Sequence, residues 1–422
     1  DGNKNMIIHT AAEAFPWQGT VLAVHLIRLL SVLLQACTVL LTYLTARQIS
    51  PKRPALAVGS AALVAFNPMF IFIAASVNND NLIVPLAALT IWILIRALKA
   101  EQISLGQLYL LGIALGLAAI TKLSGLALLP LAAIVLVVIS WRHEQRRITR
   151  HFWMALFRYA AVLGAFVIAI AGWWYYRNLQ LYGDPTGLNV MLEIAGRRPD
   201  PMTFHQLLAE FRGFRMSYWG VFGGFNVIAP DWYYHLFDAL ALVGIAGWIP
   251  ACIRHRKGNR GHDLDSLPVL IGWVVIISLS LVRWTSQTPA SQGRLIFPAI
   301  GAVAILLILG LAGWLPEKQT RYGIAGLSLG LLALAVAIPV WVISPAYAKP
   351  PLLTIDEIPP SAHRSDIVYA DTLRLIAYEL PAESVHPGER LPVTLYWECT
   401  AATDRDLSIF IHLLGRDAGS VG

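Results

Sequence analysis

The chain has 422 residues, 57% of them hydrophobic and only 14% charged, with a formal net charge of +7. A soluble domain is about 45–50% apolar and about 25% charged, so a soluble fold, a disordered chain, a collagen-like repeat and a disulfide scaffold are excluded. The basic residues sit in short loops between apolar runs, which points to membrane orientation and leaves no basic stripe with interleaved aromatics for nucleic acid.

A membrane span needs about 20 mainly apolar residues. After a polar start the sequence offers about ten such segments, at 20–46, 54–77, 82–98, 107–121, 124–140, 153–176, 236–253, 267–282, 294–314 and 323–343. Basic residues distinguish the two sets of loops. Arg47, Lys52 and Arg53, then Arg96 and Lys99, then Arg142, Arg146, Arg147 and Arg150, then Arg254, Arg256, Lys257 and Arg260, then Lys318 and Arg321 mark the cytoplasmic side. The start of the chain, the 78–81 turn, the 177–235 loop, the 283–294 loop and the C-terminal region then lie outside, in a plasma (inner) membrane. An outer start without a signal peptide calls for a span upstream of Asp1.

The 177–235 loop is rich in aromatics and glycine, which favours the membrane surface over disorder. Beyond residue 343 the composition changes. A Pro-rich linker at 344–365 leads into LRLIAYEL, LPVTLYWEC and LSIFIHLLG, which read as strands of an incomplete extracytoplasmic β-sandwich over 366–422. The expected fold is therefore an all-α polytopic bundle over 1–343 with a small β-domain after it. Cys37 and Cys252 fall in apolar runs and Cys399 stands alone, so neither a disulfide framework nor a zinc site is expected. No P-loop, HExxH, GxSxG or CxxC occurs, and no cofactor or metal is called for.

Charged and strongly polar groups within a bilayer cost at least a few kcal/mol and are functional candidates by default. Here they gather toward the outer face. His25, Arg28 and Gln35 are spaced to share one face of the first span. Arg28 either snorkels to headgroups or turns inward to grip a phosphate or carboxylate. Asn78, Asn79, Asp80 and Asn81 form a short outer turn whose residues suit turns and helix caps. Asp80 is also the only carboxylate in a long apolar neighbourhood, placed to orient an acceptor or a cation. Lys122 interrupts two apolar runs at another outer turn, and Arg294 opens the ninth span; each is an anchor or a phosphate contact. Asp184 sits in a Gly-Asp-Pro sequence, a turn signal first.

Five strings in this order, HLIRLLSVLLQ, FNPMFIFIAASVNNDN, AAITKLSGLALLPL, WWYYRNLQLYGDP and QGRLIFPAI, give the chain its resemblance to the GT-C superfamily of polyprenyl-phosphate-sugar-dependent glycosyltransferases. Within it, the chain is most similar to the bacterial, protein-mannosyltransferase-like members of glycosyltransferase family 39. The resemblance implies an inverting transfer of a sugar from a polyprenyl-phosphate carrier to an extracytoplasmic protein, lipid or glycan, without a metal. It implies a carboxylate base on the loop after a first span upstream of Asp1, and basic side chains that neutralise the departing lipid phosphate. Asp80 matches the family's acidic position in the second outer loop, and Arg28 and Arg294 match basic positions. His25, Asn79, Lys122 and Asp184 are the further candidates for contacting the donor. Two other readings stay open: a transporter or flippase, and a non-catalytic membrane protein that binds cell-surface polymer.

Overall fold

A computed structural model of the chain describes residues 13–200, 202–256, 264–289, 291–348, 351–369, 371–380, 391–402, 409 and 411. The chain separates into two compact units, one within Asn5–Ala346 and one formed by the residues from Tyr347 on.

The first unit is a helical membrane bundle. Its spans are α1 (Gly19–Ile49), the pair α2 (Pro54–Ala65) and α3 (Pro68–Ala74), α4 (Asp80–Ala100), α5 (Leu105–Thr121) and α6 (Leu128–His143). They continue with α7 (Arg150–Val167) running through a π-helical turn into α8 (Trp173–Tyr182). Two helices too short to cross a bilayer follow, α9 (Leu188–Ala195) and α10 (Phe204–Trp219), and then a small hairpin of β1 (Val221–Phe222) and β2 (Val227–Ile228). The bundle closes with α11 (Asp231–Ala246), α12 (Trp248–Arg256), α13 (Leu267–Gln287), α14 (Ile300–Ala312), α15 (Glu317–Ile338) and α16 (Ser344–Ala346).

Eight helices among the described residues are long and apolar enough to span a membrane, or nine if α2 and α3 count as one broken span; α5 is a shorter apolar helix. These ten segments coincide with the ten expected spans. The expectation of one continuous span at 54–77 needs correction, because α2 and α3 meet at a 62° bend. Pro68 has no N–H and cannot continue α2. Asn67 turns the break into a new start, its Oδ1 accepting from the N–H groups of Met69 (3.0 Å) and Phe70 (3.1 Å). Cys37 and Cys252 lie within spanning helices, as their apolar runs predict, and are exposed on the bundle surface.

Lipid is as apolar as leucine, so helices in a bilayer associate through close packing and internal polar contacts. Both are present. Gly244 and Gly247 face Gly310 and Gly313 so closely that a Cβ at Gly310 would lie 1.9 Å from the Gly244 carbonyl oxygen. Trp248 Nε1 donates to Leu306 O at 3.1 Å and Trp314 Nε1 to Val243 O at 2.9 Å across this seam. Overpacking a tight contact costs about 1–3 kcal/mol. Gly310→Ala should therefore lower the thermal stability of the detergent-solubilised protein by that amount. Gly326→Ala, where nothing lies within 4 Å of the added atom, should leave it unchanged or raise it by up to about 1 kcal/mol, the helix-propensity gain. Equal effects of the two substitutions would show that the seam is not tight.

The second unit carries β3 (His363–Tyr369), β4 (Leu373–Glu379) and β5 (Thr394–Cys399), antiparallel in that order. Two of the expected strands match β4 and β5. β3 begins in the stretch read as a linker, where the residues before it carry the prolines and its own HRSDIVY does not. Most of LSIFIHLLG lies outside the described residues.

Candidate functional site

Asp80 is the first residue of α4 and is 1% exposed. The Asn78 side chain receives its N–H at 2.8 Å and fixes the start of the helix. Its carboxylate meets two cations. Lys122, the residue that ends α5, places Nζ 2.5 Å from Oδ1. Arg294, in the 3₁₀ turn that leads into α14, places Nη1 3.6 Å from Oδ2. Three turns far apart in sequence thus converge on one carboxylate. Two positive charges and one negative leave the cluster with a surplus positive charge. Among the described residues, neither cation has a second acidic partner.

The surroundings hold this arrangement rigidly. Asn79 Nδ2 donates to Thr121 O at 3.3 Å and ties the start of α4 to the turn that carries Lys122. Gln292 Oε1 accepts from Arg294 Nε at 2.6 Å. Gly293 lies on the end of α10: its N–H donates to Ser217 Oγ at 2.8 Å, and a Cβ there would fall 2.2 Å from the Tyr218 nitrogen. Asn67 Nδ2 reaches Tyr218 O at 3.3 Å, so the α2–α3 break is joined to the same corner.

Beneath Asp80 runs a buried polar seam. Ser31, Gln35, Thr38, Thr42 and Thr45 form the buried face of α1. Gln35 Nε2 donates to Asn81 Oδ1 at 2.9 Å, Gln35 Oε1 accepts from Thr38 at 3.1 Å, and Asn81 Nδ2 donates to Ser76 O at 2.7 Å. Thr38 is a supporting residue that the sequence reading does not single out, and Asn81, read there as a turn residue, supports the site as well. The spacing of Thr38 and Thr42 from Gln35 was the available signal.

The other candidates are placed elsewhere. Arg28 is exposed, and no hydrogen bond or ion pair links it to Asp80. His25 stacks on Trp17 with ring centroids 3.8 Å apart and places Nδ1 2.8 Å from Val21 O. Arg28 precedes Gln35 by seven residues, about two helical turns, so the two share a side of α1 as expected. Arg28 is exposed because nothing buries this helix before Ser31, where residues 19–30 are exposed or half-buried. Asp184 closes its own turn. Thr186 donates to it from its hydroxyl (2.7 Å) and its N–H (2.9 Å), and Asn189 from its N–H (3.2 Å). These bonds, the Thr186 hydroxyl first, hold its carboxyl below the usual range, as in a turn staple.

A carboxylate whose two oxygens each face a cation acts as a spacer that keeps the two cations apart. The paired cations, one a fork and one a point charge, can receive a phosphate. No group of three or more His, Cys, Asp or Glu side chains among the described residues could hold a metal ion.

None of the curated proteins matches the chain. Two crystal structures of the Archaeoglobus fulgidus oligosaccharyltransferase, one tethered to an acceptor peptide containing the NVT sequon and one in the apo form, each share 16% identity with it at a TM-score of 0.39. The aligned regions cover 76% and 79% of this chain and 44% and 45% of those proteins, so the chain spans less than half of their length. A family model described as a predicted membrane protein, DUF2142, matches residues 18–303, more than half of the chain. The chain belongs to the DUF2142 family of membrane proteins.

Proposed function

We propose that this protein is a membrane glycosyltransferase that moves a sugar from a polyprenyl-phosphate carrier to an acceptor outside the cell, at the membrane face where Asp80, Lys122 and Arg294 meet. The observation that carries this reading is the buried carboxylate of Asp80 held between two cations from separate turns. A cluster with surplus positive charge in a low-dielectric setting attracts an anion. A lipid phosphate is the anion that a bilayer presents at that depth. The order of the five sequence strings that resemble the GT-C superfamily supports the same conclusion.

In this mechanism Lys122 and Arg294 bind the phosphate of the donor. As the glycosidic bond to the anomeric carbon breaks, negative charge grows on the departing phosphate and both contacts strengthen. Asp80 acts as a positioning residue that keeps the two cations apart and aimed. Asn79 and Gln292 hold the turns that carry them. Arg28, exposed on α1, is given the role of a surface anchor.

The test is transfer by the full-length protein in proteoliposomes, with a panel of radiolabelled polyprenyl-phosphate sugars and with protein, lipid and glycan acceptors. The expected result is label moved from at least one carrier, with free polyprenyl phosphate released. Absence of transfer from every donor, together with movement of the labelled lipid between leaflets, would replace the enzyme by a flippase.

A further inference from the structure

The two helices between α8 and α11 are too short to cross a bilayer, and each shows three different sides. On α10, Leu207, Glu210, Phe214, Ser217 and Tyr218 are buried or half-buried and turn toward the protein. His205, Gln206, Ala209, Arg212 and Gly213 are exposed and, apart from the small ones, polar. Between these sectors lie Phe204, Leu208 and Phe211, four and three residues apart, exposed by 75%, 55% and 55%. They form one apolar ridge. α9 repeats the pattern. Leu192 is 1% exposed and packs inward, Asn189 and Glu193 are exposed and polar, and Met191 and Ile194 form an apolar edge exposed by 51% and 78%.

A helix in water needs only two sides, one apolar and buried, one polar and wet. A third side, apolar and bare, has a cost unless something covers it. The flanking elements identify the cover. α8 enters this segment with Trp173, Trp174, Tyr176 and Leu179 exposed, and α11 leaves it with Trp232 and Leu236 exposed. Such aromatic-rich surfaces at the ends of spanning helices lie at the level of lipid headgroups. Along the chain, the ridge therefore lies between two helix ends with exposed aromatic-rich surfaces.

We propose that α9 and α10 are monotopic helices that lie on the bilayer. Phe204, Leu208 and Phe211 of α10, with Met191 and Ile194 of α9, dip into the boundary between headgroups and acyl chains. The partner is the lipid surface itself. The protein side is pinned: Arg198 pairs with Glu210 and also donates to Thr285 O at 3.0 Å, and Arg215 pairs with Asp238 of α11 at 2.5 Å. Pinned in this way, the two helices sit at a fixed depth, and the end of α10 forms the wall against Gly293 beside Arg294. The inference rests on the membrane character of the chain and stands whether or not the protein transfers sugar.

The experiment uses the unaltered chain in nanodiscs of phosphatidylcholine and phosphatidylglycerol doped with a diazirine-bearing phosphatidylcholine. Photolysis followed by peptide mass spectrometry reads which side chains touch lipid, and hydroxyl-radical footprinting of the same sample reads which touch water. The expected result is lipid adducts at Phe204, Leu208, Phe211, Met191 and Ile194, severalfold above those at His205 and Arg212, with the footprint reversed. The double variant Leu208→Glu with Phe211→Glu should lose the α10 adducts and keep those of the spans. Strong radical labelling of the ridge without adducts would overturn the proposal in favour of a water-exposed loop. Shielding of the ridge from both reagents would overturn it in favour of a protein partner.

Discussion

Asp80→Asn should lower sugar transfer by about 100- to 1000-fold, the loss typical of an interaction that acts in the transition state, and should also destabilise the folded protein. The substitution keeps the size of the side chain and removes its charge. Lys122 and Arg294 then face each other across a neutral amide whose NH₂ cannot accept from either. Removing one partner of a buried ion pair costs about 3–5 kcal/mol. The two cations here retain 21% and 29% side-chain exposure, so part of that cost is screened and about 2–3 kcal/mol is the expected loss. A turn-forming role predicts the opposite outcome, because asparagine caps and turns as well as aspartate. The double variant Asp80→Asn with Lys122→Met separates structure from chemistry. It relieves the repulsion and should recover most of the stability while transfer stays low. Initial rates and thermal unfolding of the same preparations decide the matter. Near-normal rates in Asp80→Asn would remove the cluster from the reaction.

Much of the fold is written in the sequence because a bilayer imposes a strong length rule on apolar segments. All ten apolar runs became helices for that reason. What the rule does not encode is the interior of the bundle. In water, the polar face of a helix points out and the apolar face points in. In lipid both faces are apolar, and the only internal signal is a sparse line of hydroxyls and amides. Ser31, Gln35, Thr38, Thr42 and Thr45 are such a line; Arg28 continues it toward the start of α1, and spacing alone does not tell that the bundle stops covering the helix before Ser31. The candidate cluster is half legible. Asp80, Lys122 and Arg294 each stood out singly because a charge in a membrane is expensive. Their meeting depends on how α4, α5 and the turn before α14 pack, and no local pattern carries that information. Asn67 shows the same division: its capping role could be read from Asn-Pro, but its hydrogen bond to Tyr218 depends on the tertiary fold.

Arg294 should behave as the phosphate grip of the site, and Arg28 should not. Arg294 is 29% exposed in its side chain, held at Nε by Gln292 and aimed at Asp80 through Nη1. With one bond to Gln292 and a distant 3.6 Å contact to Asp80, its fork keeps N–H groups available for two phosphate oxygens. An ammonium cannot make that paired contact. Arg294→Ala should therefore reduce transfer by about 30- to 1000-fold, equivalent to about 2–4 kcal/mol of lost transition-state stabilisation. Arg294→Lys should retain more, losing chiefly kcat, because the second oxygen of the leaving phosphate is left without its donor as charge grows on it. Lys122→Met should match Arg294→Ala in direction. It should cost more stability, since Lys122 makes the closer contact to the buried carboxylate, 2.5 Å against 3.6 Å. Arg28→Lys should leave rate and stability unchanged, because an exposed arginine in the uncovered first part of α1 can be replaced by another residue that snorkels. Steady-state kinetics of the four variants with one natural donor would settle the assignment. A large loss in Arg28→Lys with little effect of Arg294→Ala would move the phosphate site from the Asp80 cluster to the first span.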